Sequence, residues 1–192
     1  QLAPANPEKI TFSYYGKIAR YDCAPLTVAG LAALLNRATD TEVNMVNARL
    51  VARNMGIAIE ETRTTEAESF SDMISLSVQT PEGQRSMAGT LFEGKPKIVK
   101  MRDFQTDFTP EPYMLVMNYE DRPGLIGKIG TILGAEGVNI GNMNLGRRAK
   151  AGEAMVVLSI DSPASDQVLE QLATAIDARF LKQVHMTQAE TD

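Results

Sequence analysis

The 192-residue sequence predicts an α+β protein built from two units. Three observations carry that expectation. In the first half, strand-like segments run together after two helical ones. In the second half the order becomes strand, helix, strand, strand, helix, strand. Between them lies Phe104–Pro112, polar and holding Pro110 and Pro112, a composition that suits a boundary. The expected units are residues 1–109 and 110–192.

Lys9–Ala19 alternates, with Ile10, Phe12 and Tyr14 offset against Thr11, Ser13 and Tyr15, the period of a half-buried strand. Pro25 opens a helix over Leu26–Asn36, whose Val28, Leu31, Leu34 and Leu35 fall at helical spacing. A second helix is expected over Glu42–Met55, with Val43, Val46, Leu50 and Val51 as its core stripe and Gly56 as its stop. Ile57–Thr64 and Asp72–Gln79 read as strands. Thr80-Pro81-Glu82-Gly83 is a turn, because proline presets φ and glycine supplies positive φ. Strands Gln84–Phe92 and Pro96–Met101 complete this unit.

The second unit reads as strand Tyr113–Tyr119, helix Leu125–Gly134, strand Asn139–Leu145, strand Glu153–Ile160, helix Ser165–Ala178 and strand Leu181–Met186. That succession is the ferredoxin-like β-α-β-β-α-β arrangement: one antiparallel sheet with both helices on one face. The tail Thr187–Asp192 is polar and expected to fray.

Composition narrows the function. The chain is 44% hydrophobic and 22% charged, as folded soluble proteins are. A net charge of −5 argues against nucleic acid or an anionic membrane as partner, since both reward basic surfaces. No apolar run approaches the roughly 20 residues that span a bilayer, and neither end reads as a signal peptide. Cys23 alone excludes an internal disulfide and fits a reducing cytoplasm; it is expected to pack in a core. With one cysteine and one histidine, His185, a structural zinc site cannot be assembled. The start Gln1-Leu2-Ala3-Pro4 lacks a methionine, as a piece of a longer chain would.

The most informative stretch is Asn118-Tyr119-Glu120-Asp121-Arg122-Pro123-Gly124-Leu125-Ile126. A strand ends, a Pro-Gly turn reverses the chain and a helix begins. Unpaired N–H groups at a helix start can hold a carboxylate, Gly124 permits close backbone approach, and Asp121 can pair with an ammonium group. A free amino acid carries both charges. The plainer alternative is that Asp121 caps the helix. Further on, Gly137 ends the helix and Asn139 stands at the entrance of the next strand, where its amide can face the first loop or simply close a turn.

Asp121-Arg122-Pro123-Gly124, a helix with Gly127, Gly130 and Gly134, and then Gly137-Val138-Asn139-Ile140 closely resemble the ACT domain, a regulatory amino-acid-binding module, over about residues 112–188. Val46-Asn47-Ala48-Arg49, Gly89-Thr90-Leu91-Phe92 and Lys97-Ile98-Val99 resemble the intervening, allosteric substrate-binding domain of long-form D-3-phosphoglycerate dehydrogenase. The resemblance implies a regulatory segment of an NAD-dependent oxidoreductase of L-serine biosynthesis, with L-serine as feedback inhibitor. By position, Tyr119, Asp121, Pro123, Gly124, Leu125, Ile126 and Asn139 become the effector-binding residues. The site is implied to lie between ACT domains of two subunits in a homo-oligomer. Lys97 matches an anion-binding position of some relatives, while Thr109 and Ser159 stand where those relatives carry arginines. A lysine in a strand is more often a solvated face residue, and Lys97 reads so first.

No catalytic site is expected here, and no cofactor; NAD belongs to the implied whole enzyme. The glycines at 124, 127, 130 and 134 lack the Gly-x-Gly-x-x-Gly spacing of a dinucleotide site. They read as a smooth helix face turned to the sheet or to a partner. His185 has no carboxylate partner nearby in sequence, and Arg147, Arg148 and Lys150 read as a solvated hairpin or a phosphate contact. Two rivals stand beside this reading: the regulatory portion of an iron–sulfur L-serine dehydratase, and a purely structural oligomerisation module.

Overall fold

The computed structural model describes residues 7–39, 41–66, 70–147 and 152–186. The start Gln1–Pro4, the tail Thr187–Asp192 and the pair Arg148 and Lys150 therefore lie outside the described residues. The chain divides into two compact units between Arg102 and Asp103.

In the first unit, β1 (Lys9–Gly16) buries Ile10, Phe12 and Tyr14 on one face. The strand stops short of Ala19: residues Lys17–Arg20 form a 3-10 turn, and the Ile18 N–H donates to Asp72 Oδ1 at 2.5 Å. Next comes α1 (Ala24–Leu35), with Pro25 in its first turn and Leu31, Ala32 and Leu35 buried.

The second helix, α2 (Ala48–Asn54), is shorter than the expected Glu42–Met55. Asparagine side chains hold the preceding backbone in a loop. Asn47 Oδ1 accepts from Asn44 N at 2.8 Å, Asn44 Oδ1 accepts from Val46 N at 2.9 Å, and Asn47 Nδ2 donates to Glu42 O at 3.0 Å. Such local bonds compete with helix. As a result Val46 and Leu50 are exposed, and the helix buries Ala48 and Ala52 instead; Val43 is buried from the loop.

Four more strands follow: β2 (Ala58–Thr64), β3 (Asp72–Thr80), β4 (Gly83–Phe92) and β5 (Lys95–Met101). Within this unit the order runs β2-β1-β3-β4-β5. β1 pairs parallel with β2 and antiparallel with β3. A parallel pair requires a crossover, and the two helices supply it. The core joins Ile10, Phe12 and Tyr14 to Leu31, Leu35, Ala48 and Ala52.

The second unit opens with β6 (Phe104–Phe108), a strand where a linker was expected. Its end residues Phe104 and Phe108 are buried. It lies against β8 (Ile140–Arg147): Thr106 Oγ1 and Asn144 Oδ1 are 2.5 Å apart, and Asn144 Nδ2 donates to the Asp107 carbonyl at 2.8 Å.

The remaining elements are β7 (Tyr113–Glu120), α3 (Leu125–Ala135), β9 (Glu153–Ile160), α4 (Asp166–Ala175) and β10 (Phe180–His185). With β8 they complete β-α-β-β-α-β. The sheet order is β10-β7-β9-β8, with antiparallel neighbours throughout. Leu115, Met117 and Tyr119 of β7 and Val156 and Leu158 of β9 share one core with Leu125, Ile129 and Leu133 of α3 and Val168 and Leu172 of α4. Both helices therefore cover the same face. Ser165 caps α4, its hydroxyl accepting from Val168 N at 3.3 Å. Among the described residues no helix is long and apolar enough to cross a membrane.

Candidate functional site

The turn between β7 and α3 is built on Gly124, which holds φ at +90° as the N-cap of α3. A side chain would be strained there. No side chain caps this helix; the Leu125 N–H donates to the Arg122 carbonyl at 3.4 Å, and the N–H groups of Ile126 and Gly127 follow it in the first turn. Asp121 is not the cap. Its carboxylate instead meets Arg147, at 3.0 Å between Oδ2 and Nε, and its N–H donates to the Gly152 carbonyl at 2.9 Å. Leu125 is buried under the helix, whereas Pro123 and Ile126 are exposed at the turn.

Arg147 reaches Asp121 along one row of the sheet. Tyr119 of β7 stands opposite Ala154 of β9, which stands opposite Arg147 of β8. Directly opposed residues point to the same face, here the helix side. The Ala154 methyl is the only side chain between the outer two. Tyr119 is fully buried, and among the described residues its hydroxyl is a buried polar atom without a hydrogen-bond partner. Burial, followed by the charge of Asp121, pushes this hydroxyl above the usual phenol range; Arg147 pulls it back in part.

Asn139 is elsewhere. It precedes β8 at the far end of the sheet, exposed, and its Nδ2 donates to Asp161 Oδ2 at 2.9 Å. Its amide does not face the first loop of its own chain. β8 is 8 residues long, so at about 3.3 Å per residue roughly 20–25 Å separate Asn139 from the level of Asp121 and Arg147. Between them, Gly137 holds φ at +71° and lets the chain leave α3 for β8.

The glycines of α3 do not face the sheet. A Cβ built at Gly127, Gly130 or Gly134 meets nothing within 4 Å. The open side of α3 is smooth, with Ile126 exposed beside it.

The other candidate residues fall outside this arrangement. Lys97, on β5, places its ammonium 5.5 Å from the ring centre of Phe92. Thr109 and Ser159 line one cavity of about 110 Å³ together with Phe108, Glu111, Met114, Asn142 and Val157. Among the described residues no cationic side chain lines it, and Glu111 brings a carboxylate. His185, on the edge strand β10, stacks on Tyr113 at 4.8 Å between ring centres. Cys23 is buried, and burial pushes its thiol up. Among the described residues no group of three histidine, cysteine or acidic side chains is placed to hold a metal.

Residues 1–102 match the family described as D-3-phosphoglycerate dehydrogenase intervening domain. The chain belongs to that family. Residues 113–177 match the ACT domain, the stretch that holds the β7–α3 turn, Asn139 and Arg147. Relatives named D-3-phosphoglycerate dehydrogenase include one from Synechocystis, 34% identical over 93% of this chain, one from Archaeoglobus fulgidus, 30% identical over 91%, and one from Bacillus subtilis, 29% identical over 93%. The chain spans about a third of their length, 33%, 34% and 34%. It thus joins a D-3-phosphoglycerate dehydrogenase intervening domain to an ACT domain.

Arg147 was not among the site residues that sequence reasoning singled out. Read beside Arg148 and Lys150, it looked like part of a charged hairpin. Only the strand register aligns it with Tyr119 across Ala154.

Proposed function

We propose that this chain is the regulatory portion of a cytoplasmic, NAD-dependent D-3-phosphoglycerate dehydrogenase and that its ACT unit binds L-serine in a site shared by two chains. Asp121 takes the effector ammonium, the uncapped start of α3 takes the carboxylate, and Asn139 of a second chain closes the site with its amide. The chemistry resides in the part of the enzyme outside this chain.

The observation that supports this reading best is the separation of Asp121 and Asn139. Held at opposite ends of the strands, they cannot touch one small ligand within a chain. A two-fold pairing of ACT units that brings the β7–α3 turn of one chain to the β8 entrance of another lets both serve one molecule. The smooth, open face of α3 suits such an approach. A ligand gripped by both chains favours one subunit arrangement over others, and a coupling of about 1–3 kcal/mol suffices for clear feedback.

The test is titration calorimetry of L-serine into the folded chain, with sedimentation equilibrium alongside. Heat that saturates at millimolar serine or below, and a dimer tightened by serine, is the expected result. No heat, with oligomer size indifferent to serine, would leave a purely structural module. That second reading has its own support in the internal partners of both side chains, Arg147 for Asp121 and Asp161 for Asn139.

A further inference from the structure

The Asp121–Arg147 ion pair has an asymmetric construction. The Asp121 side chain is 14% exposed and the Arg147 side chain 44%. Asp121 is also fixed through its backbone, by the bond from its N–H to Gly152. Arg147 ends its strand and projects across Ala154 with one side lying open. The carboxylate is thus the anchored member of the pair and the guanidinium the movable one.

Beside the pair lies the Tyr119 hydroxyl, fully buried and, among the described residues, without a hydrogen-bond partner. A buried hydroxyl left unpaired costs free energy that a bound polar ligand would recover. At this one end of the sheet stand an anchored anion, a movable cation, an orphaned hydroxyl and the uncapped start of α3.

We infer that Arg147 is a specificity-determining residue of the effector site, and that a zwitterionic amino acid enters by opening the Asp121–Arg147 pair, ammonium to Asp121 and carboxylate shared between Arg147 and the start of α3. This rests on the reading of the ACT unit as the effector site. One ion pair is exchanged for two, so neither protein charge is left unpaired. The guanidinium being released is 44% exposed and can turn to water, while the sheltered carboxylate exchanges one cation for another. The planar guanidinium matches a carboxylate with two parallel N–H donors and adds a full positive charge to the partial one at the helix start. A ligand with an amine and no carboxylate would strand Arg147. The arrangement therefore selects zwitterions over amines.

The experiment compares L-serine with ethanolamine, which keeps the amine and hydroxyl but lacks the carboxylate. Titration calorimetry is run on the whole chain as wild type, Arg147→Ala and Arg147→Gln, with thermal unfolding of each variant recorded; Arg147→Gln carries the comparison if Arg147→Ala fails to fold. The expected result is a loss of L-serine affinity of about tenfold or more, with ethanolamine no weaker than in the wild type. Serine binding that is unchanged or tighter in the variants overturns the inference, because Arg147 would then be a bystander or a competitor. Equal losses for serine and ethanolamine also overturn it, since Arg147 would then act by positioning Asp121. A wild type that takes no serine removes the effector-site reading first, and this inference with it.

Discussion

Asp121 and Asn139 stand at opposite ends of the same sheet, one paired with Arg147 at the close of β8 and the other with Asp161 at its opening. The β7–α3 turn and the α3–β8 junction, adjacent in sequence, therefore point away from each other across the length of a helix. A ligand that needs both must be held by two chains. In the proposed site each chain would contribute two different halves.

Replacing Asp121 with Ala separates binding from folding. Asp121 is not the cap of α3, and its partner Arg147 is half exposed, so stability should fall by about 1 kcal/mol or less. Serine affinity should fall tenfold or more. Chemical denaturation and calorimetry on the same preparation check both. Unfolding of the variant would mean that the turn depends on Asp121 after all.

Tyr119→Phe should behave in the opposite way on the two readouts. It removes a buried hydroxyl that has no hydrogen-bond partner among the described residues. The free variant should be as stable as the wild type or more so, by about 1 kcal/mol, measured by urea midpoint. Serine binding should weaken several-fold, because the ligand is what satisfies that hydroxyl.

Gly124→Ala tests the turn itself. The residue sits at φ +90° with nothing within 4 Å of an added Cβ, so the cost is backbone strain alone. A loss of about 1–2 kcal/mol is expected. Melting curves report it, and serine affinity should drop as the start of α3 shifts.

In the first unit the acid limb of stability should depend on Glu61. Its carboxylate accepts from Thr27 Oγ1 at 2.6 Å, and Thr27 in turn accepts from the Tyr14 hydroxyl at 2.7 Å, since a carboxylate cannot donate. The Thr27 bond first, and then Arg63, hold the Glu61 carboxyl below the usual range against the opposing effect of burial. A folded pKa lower than the unfolded one gives stability that is full above about pH 4.3 and lost as pH falls through the folded value. Denaturation midpoints measured at descending pH should fall across that window in the wild type and be flatter in Glu61→Gln.

Much of this was legible in the sequence. Alternation in Lys9–Tyr15 and the Pro-Gly turn at 123–124 located β1 and the start of α3, because burial on one face and forced φ leave local marks. What escaped depended on partners distant in sequence. Phe104-Gln105-Thr106-Asp107-Phe108 alternates, yet two following prolines and its polar centre make it read as a linker; it is a strand through backbone pairing that no local pattern marks. Val46 and Leu50 had helical spacing but lie where asparagine loops end the helix, so they face solvent. Arg147 carried no local signal, since its meaning comes from register across Ala154.

The shared site is tested most directly by co-expressing two variants, Asp121→Ala and Asn139→Ala, each expected to bind serine at least tenfold more weakly alone. In a mixed pair, Asp121 of one chain meets Asn139 of the other and one intact site re-forms. Random pairing then returns about a quarter of the wild-type serine capacity, at wild-type affinity, in titration calorimetry. No recovery of wild-type affinity in the mixture, or wild-type affinity in either variant alone, would contradict a site divided between two chains.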